Sequence, residues 1–388
     1  MRAWSFSLVL SISLASAATF PDPEQGFSNS SILKIRSNLL EIASASWELG
    51  TAAEALLELS WPGLSVFNAT AFPPPGRLKA TAFPTDVVNI ANRTVSQRPS
   101  GSLSLIANQG SAADPASLGV SVLLANWTRK QISNHDYSEA ATDELTYLLE
   151  IAPQSDEGAI SHRANEVQLW SDFTYMVPPF LAYFGALKGG LPGRNLLQIA
   201  YDQCRLYRDA LRDDSGLWRH ITLGSFEDKT HWATGNGWAA AGMMRVLSTM
   251  NHTSDARRFA DHQANLTKWI DEILTESWSH QRPDGGLFNV IDDPKSFMDT
   301  SSTALIASVT YRMAVFRNDT SLIPAANRAL KLVKNNVDGD GWLQNTVNPI
   351  TFRDPLPTTE HSPEGQAFLL LLQAAWHSFF IHANSRGL

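Results

Sequence analysis

The chain has 388 residues, 44% of them hydrophobic and 18% charged, which suits one large domain or two medium ones and excludes general disorder. Its net charge of −8 argues against a nucleic-acid partner, whose binding rests on Lys and Arg neutralising phosphates. A single cysteine, Cys204, excludes an intrachain disulfide, so the fold must be held by core burial.

In chain order, residues 1–17 read as a secretory signal peptide. They carry one early Arg2, an apolar run shorter than the ~20 residues a bilayer needs, and an Ala15-Ser16-Ala17 cleavage site. The mature chain, 18–388, is expected outside the cell as one domain with no membrane attachment. Asn-x-Ser/Thr sequons at Asn29, Asn68, Asn92, Asn126, Asn251, Asn265 and Asn318 fit a secreted glycoprotein. The stretch PPPGRLKATAFPTD from Pro73 has the mixed composition of a surface loop, not of a flexible linker.

The segment QLWSDFTYMVPPFLAYFG, from Gln168, holds one charge, Asp172, among Trp170, Phe173, Tyr175, Met176, Phe180, Tyr183 and Phe184. An ionised carboxylate in such company must be paired, protonated or at the edge of a cavity. A bland alternative is a helix N-cap ahead of Phe-Thr-Tyr. Pro178-Pro179 limits how far a helix begun there can run.

Further segments, NLLQIAYDQCRLYRDAL, TKWIDEILTESW, AANRALKLVKNNV and EGQAFLLLLQAAWHSFF, repeat apolar residues at i, i+3, i+4 and i+7 and predict helices. Cys204 falls on the first as a small core residue. Strand-like alternation is scarce. An acidic residue, glycine and apolar pair recur between these helices, as EGAI at Glu157, DSGLW at Asp214, DGGLF at Asp284 and DGDGWL at Asp338. Each is a sound turn, and the repetition predicts stacked helical hairpins. About a dozen helices of average length fill the chain, so the expected fold is all-α, an (α/α)6 barrel of six hairpins closed into a toroid.

The ordered set LWSDFTYMVPPF, DSGLWRH, HWATGNGWAAAGM, DGGLF, DTSSTA and SPEGQAFLLLL resembles the unsaturated rhamnogalacturonyl hydrolases, glycoside hydrolase family 105, and the related unsaturated glucuronyl hydrolases. The similarity runs from about Trp47 to the C-terminus. It implies an (α/α)6 barrel that releases a Δ4,5-unsaturated uronic acid from oligosaccharides by hydrating its vinyl ether, with no metal or other cofactor. Asp172 aligns with the acid/base that protonates C4 and later takes a proton from water. An aromatic surround disfavours the anion, so its pKa is expected to rise. Asp114, in SAADPASLG, is the candidate second carboxylate, with a loop Asp before Pro as the bland reading.

The resemblance further implies that His220, in GLWRH, contacts substrate near the scissile bond, with His231 as a neighbour. Trp170, Trp232 and Trp238 offer rings for sugar faces, and Asn236 in GNGW carries both a turn role and a binding role. Thr300 or Ser301 of DTSSTA reads as a helix cap, and so do Pro363 and Glu364 at the first turn of the last helix; Glu364 is not expected to be catalytic. Many relatives have Arg immediately before GNGW, where this chain has Thr234, and a hydroxyl cannot replace a guanidinium facing an anionic sugar. Arg219, Lys229, Arg163 or His162 are left to supply that charge. Alternatives are another glycosidase or a polysaccharide lyase on the same scaffold, or a non-catalytic carbohydrate-binding protein.

Overall fold

The computed structural model describes residues 26–74 and 83–387; the expected signal peptide and part of the Pro73 loop lie outside these residues. Outer and inner helices alternate along the chain. They run α1 (Asn29–Ile42), α2 (Ser46–Ser60), α3 (Thr85–Gln97), α4 (Gly119–Thr128) and α5 (Asp136–Thr146). After a two-residue strand β1 (Leu169–Trp170) and the single turn α6 (Phe173–Met176) come α7 (Pro178–Lys188) and α8 (Gly190–Leu211). Beyond β2 (Ile221–Thr222) lie α9 (Ala233–His252) and α10 (Ala260–Ser279). Then β3 (Leu287–Phe288) and β4 (Met298–Asp299) precede α11 (Thr300–Arg317), α12 (Ile323–Asn335) and α13 (Pro363–Arg386).

Sequence pattern decides which helices go inside. In α10 the buried residues include Leu266, Trp269, Ile270, Ile273 and Leu274, one stripe at helical spacing, and α12 buries Ile323, Ala326, Ala329, Leu330 and Val333 in the same way. Such helices have one wet face and form the outer layer. By contrast α9 is buried at every residue from Ala233 to Met250 and α11 from Thr300 to Ala314, so neither has a polar face to show water. These become the inner ring with α2, α4, α7 and α13. Each inner helix packs on the next, and α13 packs on α2 to close the circle, the six-hairpin toroid expected. The paired strands β1–β2 and β3–β4 are antiparallel clips between loops and leave the class all-α.

Cys204 is buried in α8, and burial drives its thiol pKa well up, so it is inert core. Of the sequon asparagines, Asn29, Asn92, Asn251, Asn265 and Asn318 are exposed, and Asn68 and Asn126 are partly so.

The ring needs close approaches. Gly242 of α9 lies on α6, where an added Cβ would sit 2.0 Å from the carbonyl oxygen of Thr174. Helix propensity alone favours Ala over Gly by ~1 kcal/mol, but a clash with backbone cannot be relieved by a rotamer change and costs about 1–3 kcal/mol or more. Gly242→Ala is therefore expected to lower the melting temperature in thermal denaturation. Gly63→Ala, whose Cβ meets nothing within 4 Å, is expected to leave it unchanged.

Candidate active site

Four repeated turns carry the chain back to one mouth of the barrel. Gly158, Gly216, Gly285 and Gly341 have φ of 89°, 90°, 102° and 89°, a region that favours glycine. Each donates its N–H to the carbonyl three residues earlier, at Ser155, Asp213, Arg282 and Asp338. Four residues beyond the first three glycines stand His162, His220 and Asn289. His162 lines a cavity at this mouth. His220 faces Asp172, while Asn289 accepts from Trp232 Nε1 at 3.1 Å and donates to the Phe352 carbonyl at 3.0 Å.

The cavity, of about 240 Å3, is lined by residues that include Trp47, Asp114, His162, Arg163, Trp170, Asp172, Trp232 and Glu364. Trp47, Asp172, Trp232 and Glu364 lie within one turn of the starts of α2, α6, α9 and α13. Helix N-termini thus converge there, and their partial positive charge favours an anionic ligand.

Asp172 occupies the N-cap position of α6, but its side chain makes no capping bond. Its Oδ2 accepts from Ser171 Oγ at 3.1 Å and lies 3.5 Å from His220 Nε2. His220 Nδ1 is 3.1 Å from Asp228 Oδ2, and Asp228 Oδ1 accepts from the N–H and hydroxyl of Thr230. The ring of Phe352 covers His220 at 4.6 Å between centroids. This chain of groups corrects the expected pKa. Burial pushes the Asp172 carboxyl up, but the hydrogen bond and charge of His220 outweigh it and hold the pKa below the ordinary value. Burial pushes His220 down, and the two flanking aspartates more than restore it, so its pKa is raised. Asp172 and His220 thus each favour the other's charged form.

Asp114 opens a short 3-10 turn and shares the cavity with Asp172. Burial raises its pKa despite His162, whose Nε2 lies 3.6 Å from Oδ1. His162 is stacked on Trp170 with centroids 5.0 Å apart, and burial lowers its pKa. Arg163 has no ion pair among the described residues, and its guanidinium lies over Gly110. The two other cations considered are spent elsewhere: Arg219 lies 3.6 Å from Asp213, and Lys229 binds Glu227 at 3.0 Å.

Five expected binding residues do not line the cavity: His220 is buried beside Asp172 and reaches the cavity only through it, and four others are held elsewhere. Thr234 is fully buried, with its hydroxyl 3.4 Å from Asp299 Oδ2, because the start of α9 is wedged against that of α11. Asn236 bridges the backbone of Trp218 in both directions, at 2.8 and 2.9 Å, and also donates to the Trp232 carbonyl, so only its structural role stands. Trp238 packs against Tyr175 and Phe368 in the core. His231 is clamped between Asp292 at 2.8 Å and Asp213 at 2.9 Å. The cap of α11 is Asp299, not Thr300 or Ser301; it accepts from the N–H groups of Ser301 and Ser302.

Sequence reasoning passed over Asp228, which reads as one charge in the polar run SFEDKTH, and undervalued Glu364. The latter does sit in the first turn of α13 after a Ser362 cap, yet its side chain is buried in the cavity wall. Trp47 Nε1 donates to Oε1 at 2.7 Å; among the described residues Oε2 has no partner and no cation is within ion-pair range, and burial and nearby carboxylates push its pKa to about 8.

A six-hairpin barrel with paired carboxylates at one mouth is the architecture of a class of glycosidases. Residues 86–375 match Glycosyl Hydrolase Family 88, and the chain belongs to that family of hydrolases. It is 25% identical over 183 residues to the unsaturated rhamnogalacturonyl hydrolase YesR of Bacillus subtilis (strain 168), a match covering 44% of this chain and 50% of that protein. Its fold is similar to that of a possible GH105 member from Klebsiella pneumoniae, with TM-score 0.71, 17% identity and coverage of 98% and 99% of the two chains. The unsaturated glucuronyl hydrolase from Bacillus sp. GL1 is also similar in fold, at TM-score 0.59, 14% identity and coverage of 88% and 94%.

The acid form of Glu364 makes stability depend on pH. Between its ordinary value of 4.5 and about 8 the unfolded chain has released this proton while the folded chain keeps it, so its contribution falls as pH rises through that window. Glu364→Gln keeps an acceptor for Trp47 and carries no such loss. Its advantage in melting temperature over the wild type is expected to grow from about pH 5 to about pH 8; a constant difference would show that Glu364 is already ionised.

Proposed function

We propose that this glycosidase is a secreted unsaturated rhamnogalacturonyl hydrolase that releases Δ4,5-unsaturated uronic acid from pectin-derived oligosaccharides of rhamnogalacturonan type. The observation that carries the reading is Asp172, a carboxylate free of capping duty at a cavity wall, joined to the His220–Asp228 pair and sharing that cavity with the unpaired Arg163. The likeness to YesR supports the sugar class, and the converging helix N-termini suit an acidic ligand.

In this mechanism Arg163 holds the sugar carboxylate, and Trp170 and Trp232 flank the ring. The entering sugar displaces water, which favours a neutral pair over an ion pair and moves the proton from His220 Nε2 to Asp172 Oδ2. Asp172 gives that proton to C4 of the C4=C5 double bond, and positive charge develops at C5 and the ring oxygen. Water adds to C5 as the Asp172 anion takes its proton. The resulting hemiketal opens and the neighbouring sugar leaves. The expected rise in the pKa of Asp172 is thus replaced by a shared proton whose position depends on hydration.

One observation favours a second assignment of roles. Burial raises the pKa of Asp114 in the same cavity, which favours its acid form. Asp114 would then supply the proton while Asp172, with His220 behind it, accepts one from water.

With a lyase-generated unsaturated disaccharide, loss of ultraviolet absorbance reports hydration of the double bond. Asp172→Asn is expected to reduce kcat by roughly 10²–10⁴-fold. Arg163→Met is expected to raise KM with a smaller effect on kcat. Release of sugar with the double bond intact would defeat the proposal, and a larger loss in Asp114→Asn than in Asp172→Asn would favour the second assignment. The pH profile provides a separate check. The pair holds one proton only above the lowered pKa of Asp172 and below the raised pKa of His220, so kcat/KM is expected to be bell-shaped. Asp228→Asn removes the charge that stabilises the imidazolium and is expected to move the alkaline limb down by about one pH unit.

A further inference from the structure

The barrel has a second polar cavity at its other mouth. Glu58 lies eleven residues beyond Trp47 on α2, about 17 Å along the helix from the site above. It is buried between two guanidiniums, accepting from Arg245 Nη2 and from Arg312 Nη2, the latter at 3.0 Å. The two arginines are not equally compensated. Arg245 also has Glu54 at 4.0 Å and the face of Tyr175 at 4.6 Å, and its pKa is raised. Arg312 shares Glu58 and covers the ring of Phe67 at 4.2 Å, but burial lowers its pKa.

Arg312 is only 9% exposed; among the described residues its Nε, like that of Arg245, is buried with no acceptor, and its Nη1 has no bond. It lines a cavity of about 400 Å3, larger than the one that holds Asp172. Leu59 and Pro62 make an apolar part of the wall; Asn68, Gln373 and Ser378 add amide and hydroxyl groups. Among the described residues the one carboxylate lining it is Glu58, shared by both arginines, and burial pushes Glu54, the second carboxyl beside Arg245, up to about 7, so it offsets the guanidiniums only in part. A buried guanidinium short of negative charge is costly unless an anion joins it. A wall that is part apolar, part amide and hydroxyl suits a polyhydroxylated ring better than a hydrocarbon acid.

The geometry points to a second ligand site at the rear mouth, built around Arg312, that binds a small sugar acid through its carboxylate. It is separate from the front cavity and does not depend on the reaction proposed there.

The test is calorimetric titration with sodium D-galacturonate of protein made in a bacterial host, so that Asn29 and Asn68, which border the cavity, carry no glycan. An Arg163→Met background weakens binding at the front. Saturable one-to-one binding is expected there, reduced at least tenfold by Arg312→Met and equally by Ser378→Trp, which fills the space but leaves the Arg312–Glu58 pair intact. Ser378→Trp alone is expected to keep its melting temperature and to turn over the unsaturated disaccharide within twofold of the wild type. D-Galactose, lacking the carboxylate, is expected not to bind, and sodium sulfate to bind at least tenfold more weakly. No galacturonate binding, binding indifferent to both substitutions, equal binding of galactose, or sulfate as tight as galacturonate would each overturn the proposal. Because the readout is binding at the rear, it can fail while hydration of the disaccharide succeeds, and the reverse.

Discussion

The site depends on closure of the inner ring. The last inner helix, α13, packs against the first, α2, and the seam carries a hydrogen bond from Trp47 Nε1 to Glu364 Oε1 across 317 residues of chain. Both side chains belong to the cavity wall. The contact that completes the barrel therefore also completes the pocket. Closure excludes water from Glu364 and Asp114, which raises the pKa of both acids at a place where helix N-termini converge.

Within this enclosure two aspartates of the same intrinsic acidity are driven apart. Asp114 meets His162, whose pKa burial lowers, and its own pKa is raised. Asp172 meets His220, whose pKa is raised with the help of Asp228 behind it, and its own pKa is lowered. The difference lies one residue further back, in what supports each histidine. Phe352 closes over the His220 side and limits its hydration.

Much of the fold was legible because burial leaves a pattern. Outer helices such as α10 and α12 show a stripe, and the glycine turns announce the hairpins. Asp172 stood out because a lone charge among aromatics has few bland explanations, and the structure removes the capping one. Asp228 was illegible because locally it is one charge in a polar run, while in the fold it is buried against His220 with Arg353, more than a hundred residues away, 4.0 Å from its carboxylate. The family motif GNGW misled in the opposite direction. Its Asn236 and Trp238 are fixed by packing and backbone bonds, and a motif alone does not say whether a side chain faces a ligand or the core. His162 was legible in principle, since it stands at the same offset from its turn glycine as His220, but that offset gains meaning only once His220 is placed.

The dry inner helices also bear on how the protein is made. With residues 300–314 of α11 and 233–250 of α9 buried on every side, neither can present a wet face to the medium before its neighbours arrive. A nascent chain lacking α13 leaves one such helix uncovered and the ring ajar, a species prone to self-association. Chaperone engagement during synthesis should accordingly last until the final helix has emerged, and a chain cut short before it should accumulate as aggregate instead of as a weaker enzyme.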